Sequence, residues 1–370
     1  MRQLRIDIVV PRVDRKRFTG GILCIFEYAQ RLSESGHHVR VVPAIPSPYP
    51  EWFADIQFDY HELSKQAQLK SVDNAAEAKA RSTLSGVIGD ADVTLATSCD
   101  TALPVALNAS GPKIYFMQHF GPYFATVNAG GRVAEFDALA PYQLGMKLVA
   151  NSSWLKGMVE SLTGRADVEV CPNAIRLEDF YSDTVRSSRP SVGRGKRITV
   201  ISYGGRDAEW KGFRELVHTV AQVRRERPDV YLQWKVYGGA LVPPKNNVAD
   251  YEDLGYLDQR QLGDAYRASD VLLSASWYES FPLFPLEAMA CGVATITSAC
   301  GTEEYARHGD TAHIVEPRNV ESIAAALRQL VDDVDYRRQL GLAGAAEARQ
   351  FTWERAVDRM DSLIRAAAED

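Results

Sequence analysis

Two glutamates bracket the stretch ESFPLFPLE: Glu279 and Glu287 stand at its ends, and the seven residues between them carry no charge. Ionised carboxylates only accept hydrogen bonds, which suits them to the vicinal hydroxyls of a sugar or a ribose. The pattern predicts a strand, DVLLSAS, leading into Glu279. A helix, PLEAMAC, is then expected to start at Pro285, carry Glu287 in its first turn and end at Gly292. The N–H groups at a helix start have no intrahelical partner and attract anions. An acid on each side of such a turn could grip two hydroxylated rings while the turn meets a phosphate. Taken alone, the same acids would serve equally well as partners of the helix dipole, worth roughly 0.3–1 kcal/mol each.

A second stretch, YGGRDAEWKG, follows the predicted strand ITVIS. Its glycines allow a tight turn, while Arg206 offers a planar fork and Lys211 a point charge, both suited to phosphate oxygens. Ordinary solvated cations would read the same way without the acid pair. In RFTGGILCIFEYA, Gly20 and Gly21 permit close backbone approach at a helix start, but no G-x-G-x-x-G dinucleotide fingerprint is present. In YFMQHFGPY, His119 closes an apolar strand, where a histidine either contacts a ligand or is satisfied structurally.

The acidic pairs Asp90/Asp92 and Asp333/Asp335 spell D-x-D, yet the first reads as a loop-to-strand junction and the second as a solvated helical face. The remaining histidines show no metal-ligand spacing. No catalytic metal is expected, and no cofactor.

These motifs need strands and helices to hold them. Short apolar runs alternate with helical periodicity from the start: LRIDIVV, then ILCIFEYAQRLSESG closed by Gly36, then HVRVVP, a parallel βαβ opening. Further strands are expected at DVTLATS, KIYFMQ, KLVA and VEVC. The polar run SDTVRSSRPSVGRGKR, residues 182–197, suits a linker between a first domain over 1–181 and a second over 198–350. The second half repeats the alternation, and the segment 351–370 reads as a helix, with Thr352 as its N-cap, reaching back toward the first domain. The expected fold class is α/β, with two Rossmann-like doubly wound domains facing each other across a cleft.

With 46% apolar residues, 24% charged residues and a net charge of −6, the composition is globular and excludes bulk nucleic-acid binding. No apolar run reaches the length of a membrane span, and no signal-peptide core appears in MRQLRIDIVVP, so a cytoplasmic location is expected. The five cysteines are scattered and are each expected to act as small buried apolar residues.

In this order, the Gly pair, His119, PNAIRLEDF, GGRDAEWKG and E-x(7)-E followed by AMACG resemble the large retaining glycosyltransferase family with the GT-B fold, of the glycosyltransferase family 4 type. The resemblance covers nearly the whole chain. It implies a retaining, metal-independent transfer from a nucleoside diphosphate sugar to a hydroxyl acceptor, in the synthesis of surface polysaccharide or glycoconjugate. It places Glu279 on hydroxyls of the transferred sugar, Glu287 on the ribose, Arg206 and Lys211 on the diphosphate, His119 beside the sugar, and Gly20 or Gly21 near phosphate and acceptor. Tyr256, in LGYLD, is a loose match to the nucleobase site, and Asn173 matches a supporting asparagine.

Pro282, Ala294 and Ala174 depart from the family pattern. Pro282 lacks the N–H of the usual glycine, so contacts to the donor at that turn fall to Ser280, Phe281 and Leu283. The run YFMQHFGPYF is similar to rhamnosyl transferases within the family. The basic loop PRVDRKRF is a candidate for a lipid-linked anionic acceptor or the inner membrane face, and equally for a solvated loop. FGPYF is a candidate to stack on an acceptor sugar or to pack in the core. A nucleotide-sugar epimerase on the same architecture and a silent sugar-nucleotide binding protein are the alternative readings.

Overall fold

A computed structural model describes residues 2–13, 20–45, 47, 49–50, 53, 56–61, 84–123, 139–182, 196–205, 208–238 and 249–369. Arg206, most of the basic loop, Phe124 and residues 183–195 of the expected linker lie outside the described residues. The chain forms two compact units, Met1–Asn173 with Trp353–Asp370, and Ala174–Thr352. The division thus falls ahead of residues 182–197. Segment 174–182 belongs to the second unit for a physical reason: Ile175 bridges to Thr352, and Arg267 Nη1 donates to the Asp179 carbonyl at 2.9 Å.

In the first unit, β1 (Arg5–Val10), α1 (Gly20–Glu34), β2 (His38–Pro43), β3 (Asp59–Tyr60), β4 (Val93–Ala96), α2 (Cys99–Asn108), β5 (Lys113–Met117), β6 (Lys147–Ala150), α3 (Ser153–Thr163) and β7 (Glu169–Val170) follow one another. The strands pair in parallel in the order β3-β2-β1-β4-β5-β6-β7. Both faces of such a sheet are covered by helices, which is why β4 is buried at every residue.

In the second unit come β8 (Lys196–Tyr203), a 3₁₀ turn (Glu209–Lys211), α4 (Phe213–Glu226), β9 (Val230–Tyr237), β10 (Glu252–Asp253), α5 (Gln259–Arg267), β11 (Val271–Leu273), α6 (Leu283–Ala290), β12 (Ala294–Ser298), β13 (His313–Val315), α7 (Val320–Asp332) and α8 (Val334–Ala348). This sheet is also parallel, in the order β10-β9-β8-β11-β12-β13. Each order reverses direction once, between β1 and β4 and between β8 and β11. Ligand crevices open at the carboxyl ends of strands flanking such a reversal.

The last helix, α9 (Trp353–Glu369), groups with the first unit. Trp353 meets the Tyr28 ring edge-on at 5.2 Å, and His37 Nε2 contacts Asp361 Oδ1 at 2.9 Å.

α6 differs from its expected form. It begins at Leu283, so Pro285 is its third residue and Glu287 lies one position beyond the first turn. A proline is tolerated there because the N–H groups of a first turn have no carbonyl to reach. α6 is apolar nearly all round and is buried from Pro285 to Ala290. No described helix is long and apolar enough to cross a membrane.

Candidate functional site

The reversal in the second unit assembles a site from both chain segments that leave it. β8 ends at Tyr203, and the Gly204 N–H donates to the Tyr237 carbonyl at 2.8 Å. The chain then turns through Glu209–Lys211 into Gly212, which adopts a left-handed φ of 71°. A Cβ on Gly212 would stand 2.3 Å from the Ala275 carbonyl oxygen, so only glycine lets this turn press against the segment leaving β11. The Trp277 N–H, donating to the Trp210 carbonyl at 2.7 Å, fastens the same two segments.

This approach brings Lys211 to Glu279. The ammonium pairs with Oε1 of the acid, and both side chains are mostly covered. Nζ also lies 5.6 Å from the Tyr203 ring centroid and 5.4 Å from that of Phe284, within cation–π range of both. Tyr203, Lys211, Leu216, Leu273, Ser274 and Phe284 line a narrow crevice.

Two helices start at this crevice, since Leu216 lies in the first turn of α4 and Phe284 in that of α6. Their N-caps, Gly212 and Pro282, supply no side-chain hydrogen bond. By contrast α3, α5, α7 and α8 are each capped by a side chain: Ser152, Asp258, Asn319 and Asp333. Two helix starts without a side-chain cap thus stand beside a lysine paired with Glu279, and the first turn of α4 carries Glu215; unpaired N–H groups at such starts favour an anion.

The turn between the two acids is held from the side of β12. Ser298 Oγ donates to the Ser276 carbonyl at 2.6 Å, and Tyr305 Oη donates to the Pro282 carbonyl at 2.7 Å. Gly301, at φ 78°, sits so close that a Cβ would come within 2.4 Å of the Glu279 carbonyl oxygen. Glu279 and Glu287 both act on the buried Tyr305 hydroxyl and raise its pKa further after the larger effect of burial. Glu287 itself is only 6% exposed, and burial pushes its carboxyl up to about 8. The Tyr237 and Tyr266 hydroxyls, which share a hydrogen bond of 2.6 Å, are ionisable neighbours of Glu287 together with Tyr305, and burial holds all three protonated.

The structure therefore brings Lys211, Glu279 and Glu287 to one neighbourhood. Ser280 is buried beside them. Phe281 points its ring into the core against Tyr305, at 5.5 Å, and Phe351, at 5.9 Å, so only its backbone faces the turn. Leu283 is the first residue of α6. Tyr256 is 65% exposed beyond β10.

In the first unit, Gly20 opens α1, and a Cβ on Gly21 would lie 3.5 Å from Gln118 Oε1, next to His119. His119 has its pKa lowered by burial, against a smaller upward pull from Asp100, and its Nε2 is 3.7 Å from Cys99 Sγ. Asn173 is 3% exposed, with no described hydrogen-bond partner for Oδ1. Phe120 of the aromatic run is core, stacked with Tyr142 at 6.1 Å, whereas Tyr123 is exposed.

Both D-x-D pairs have structural work. Asp92 accepts from the Arg5 N–H at 2.8 Å, and Asp333 accepts from the Tyr336 N–H at 2.9 Å as the cap of α8. Among the described residues no group of three His, Cys, Asp or Glu side chains is placed to hold a metal ion.

Sequence reading passed over Tyr203, Phe284, Tyr305 and Cys99. Tyr203 had a usable signal, being the large polar aromatic that ends a strand just before the Gly pair. The expectation of five buried cysteines holds for Cys24, Cys171 and Cys291, whereas Cys99 and Cys300 are partly exposed where their helix and turn open toward strand ends.

The Glycosyl transferases group 1 family model matches residues 198–333. D-inositol 3-phosphate glycosyltransferase from Paenarthrobacter aurescens (strain TC1) is 30% identical over 199 residues, covering 51% of this chain and 49% of that protein. The chain spans about half the length of the curated relatives that it matches, 49% in this case. Among solved structures, sucrose-phosphate synthase (tll1590) from Thermosynechococcus elongatus has a TM-score of 0.79 at 17% identity over 99% of both chains. Anabaena Alr3699/HepE in complex with UDP and glucose has a TM-score of 0.75 at 16% identity, over 98% of this chain and 100% of that one. At such identities the structural likeness speaks for the fold, two parallel-sheet Rossmann-like domains of the GT-B type.

Proposed function

We propose that the chain is a glycosyltransferase of the GT-B fold that moves a sugar from a nucleoside diphosphate sugar to a hydroxyl acceptor, with retention at the anomeric carbon and without a metal; the family model over residues 198–333 and the 30% identical relative support this reading. One observation carries the reading. At the sheet reversal of the second unit, Lys211, ion-paired with Glu279, stands beside two helix starts that lack a side-chain cap, and the buried Glu287 shares the neighbour Tyr305 with Glu279. A diphosphate suits the lysine and the helix starts, and the hydroxyls on either side of it suit the acids.

In this reading the bond from the anomeric carbon to the β-phosphate oxygen breaks, and its electron pair leaves with the diphosphate. Lys211 and the N–H groups at the starts of α4 and α6 stabilise that charge as it develops. The acceptor oxygen bonds to the anomeric carbon on the face that the diphosphate leaves, and its proton passes to a phosphate oxygen. Glu279 orients sugar hydroxyls and Glu287 the ribose. His119 is a neutral hydrogen-bonding contact to the sugar, while Arg206 is a second diphosphate cation. The acceptor belongs to the first unit, where Gly20, Gly21 and the basic loop are its candidate contacts, and a surface glycan or lipid-linked precursor is its proposed class.

The test is calorimetry with UDP, GDP, dTDP and ADP, with and without magnesium, followed by transfer assays with the matching sugar nucleotides. Inositol phosphate is a first acceptor to try, given the named activity of the Paenarthrobacter relative. Binding of one nucleotide in EDTA, weakened about 10- to 100-fold by Lys211→Ala, is expected from the loss of a charge-assisted contact. Failure of every nucleotide to bind the folded protein would remove the reading.

A further inference from the structure

The first unit sets beside His119 a cysteine to which the transfer reaction gives no task. Cys99 opens α2 just after β4, and His119 follows β5, the neighbouring strand. Their register pairs Ala96 with Tyr115, so the two segments leave the sheet side by side and bring Cys99 Sγ within 3.7 Å of His119 Nε2. Two arrangements fit the contact: the thiol donates to the ring nitrogen, or the ring N–H donates to sulfur.

Chemistry separates them. An imidazole lone pair is a good acceptor and a thiol sulfur a weak one. The other acceptor near the thiol is Asp100 Oδ1, at 4.0 Å, the outer limit for a sulfur contact. A thiolate–imidazolium pair is also disfavoured. Burial, helped by Asp100, pushes the Cys99 thiol up to about 11, and burial draws His119 down. Among the described residues, the Tyr115 and Tyr142 hydroxyls are further ionisable neighbours of Cys99 and are held protonated by burial.

We propose that Cys99 is a positioning residue for His119, its thiol donating to Nε2 and holding the imidazole as the neutral Nδ1–H tautomer. The consequence is directional. With Nε2 accepting from the thiol and the proton on Nδ1, the ring retains no lone pair with which to take a proton, so His119 is not a base in this arrangement. That His119 meets a sugar rests on the function proposed above.

The measurement is a long-range ¹H–¹⁵N spectrum of protein labelled at the histidine nitrogens, with His119 assigned by the signal lost in His119→Asn. The wild type is expected to show His119 protonated at Nδ1. Cys99→Ser, which keeps a donor, should preserve that state, and Cys99→Ala should move it toward the Nε2–H form that histidine prefers in water. In transfer assays Cys99→Ala should lower kcat about 3- to 10-fold, the value of one hydrogen bond, with KM little changed and partial recovery in Cys99→Ser. An Nε2–H signal in the wild type, or an unchanged signal in folded Cys99→Ala, would overturn the assignment. If Cys99→Ala does not fold, the wild-type and Cys99→Ser spectra decide. A thiol-dependent Nδ1–H signal in a protein that turns over no sugar nucleotide would keep this assignment and sink the transferase reading instead.

Discussion

Replacing Glu287 by glutamine should make the second unit's stability less sensitive to pH. The carboxyl is buried and its pKa moves from an ordinary 4.5 to about 8. The folded protein therefore holds this proton more tightly than the unfolded chain. The stabilisation from keeping it is fully present below about pH 4.5 and is lost as pH rises toward about 8, beyond which the loss is complete. Within that window one proton costs about 1.4 kcal/mol per pH unit, so a shift of this size corresponds to a total of roughly 5 kcal/mol. Relaxation of the site on ionisation makes this an upper bound. Glutamine keeps the shape and removes the titration. Urea unfolding of both proteins at intervals between about pH 5 and pH 8 should show glutamine gaining on wild type at a slope approaching that value. Parallel stability curves would refute the reasoning, because a carboxyl with an unshifted pKa contributes no slope there. The same logic predicts that a nucleotide whose ribose hydroxyls bind the ionised acid releases a proton near pH 7, visible as a buffer-dependent heat that Glu287→Gln lacks.

Three further outcomes follow from the site. Glu279→Gln releases the Lys211 ammonium from its ion pair, so nucleoside diphosphate binding measured by calorimetry should tighten about 2- to 10-fold while transfer falls by at least 100-fold. Gly212→Ala places a Cβ against the Ala275 carbonyl at a left-handed φ. It should cost about 2–3 kcal/mol in urea unfolding and weaken nucleotide binding together with stability. Tyr305→Phe removes the hydroxyl that holds the Pro282 carbonyl, with an expected loss of about 1–2 kcal/mol in the same assay.

Much of this site was legible because its chemistry is local in sequence. E-x(7)-E names two acids, a turn and a helix start within a single stretch, and the alternation of apolar runs identifies the strands that carry it. The start of α6 was misplaced because Pro285 was read as a first residue, although any of the first helical positions spares it a lost hydrogen bond. The unit boundary was read from polarity, whereas Ile175 and Asp179 are bound to the second unit through partners some 180 and 90 residues away, Thr352 and Arg267. Cys99 was invisible for the same reason. A cysteine after one strand and a histidine after the next become neighbours only through the register of β4 on β5. The charge state of Glu287 could not be read at all, since the motif shows a carboxyl and only the packing shows that it is buried.

The ion pair between Lys211 and Glu279 has a place in this logic. A lysine next to two uncapped helix starts would be an unbalanced concentration of positive charge, and a lone acid in a partly covered cleft would be costly to keep ionised. Each group satisfies the other when the cleft is empty. A sugar nucleotide brings both replacements at once, phosphate oxygens for the lysine and hydroxyls for the acid, so neither charge is left without a partner as the pair separates. A bare nucleoside diphosphate brings only the first and must draw Lys211 away from an acid that gains nothing in return. Wild-type protein should therefore favour the matching sugar nucleotide over the bare nucleotide by more than it does in Glu279→Gln. Competition calorimetry measures that ratio, and an equal ratio in the two proteins would mean that the ion pair plays no part in selecting the ligand.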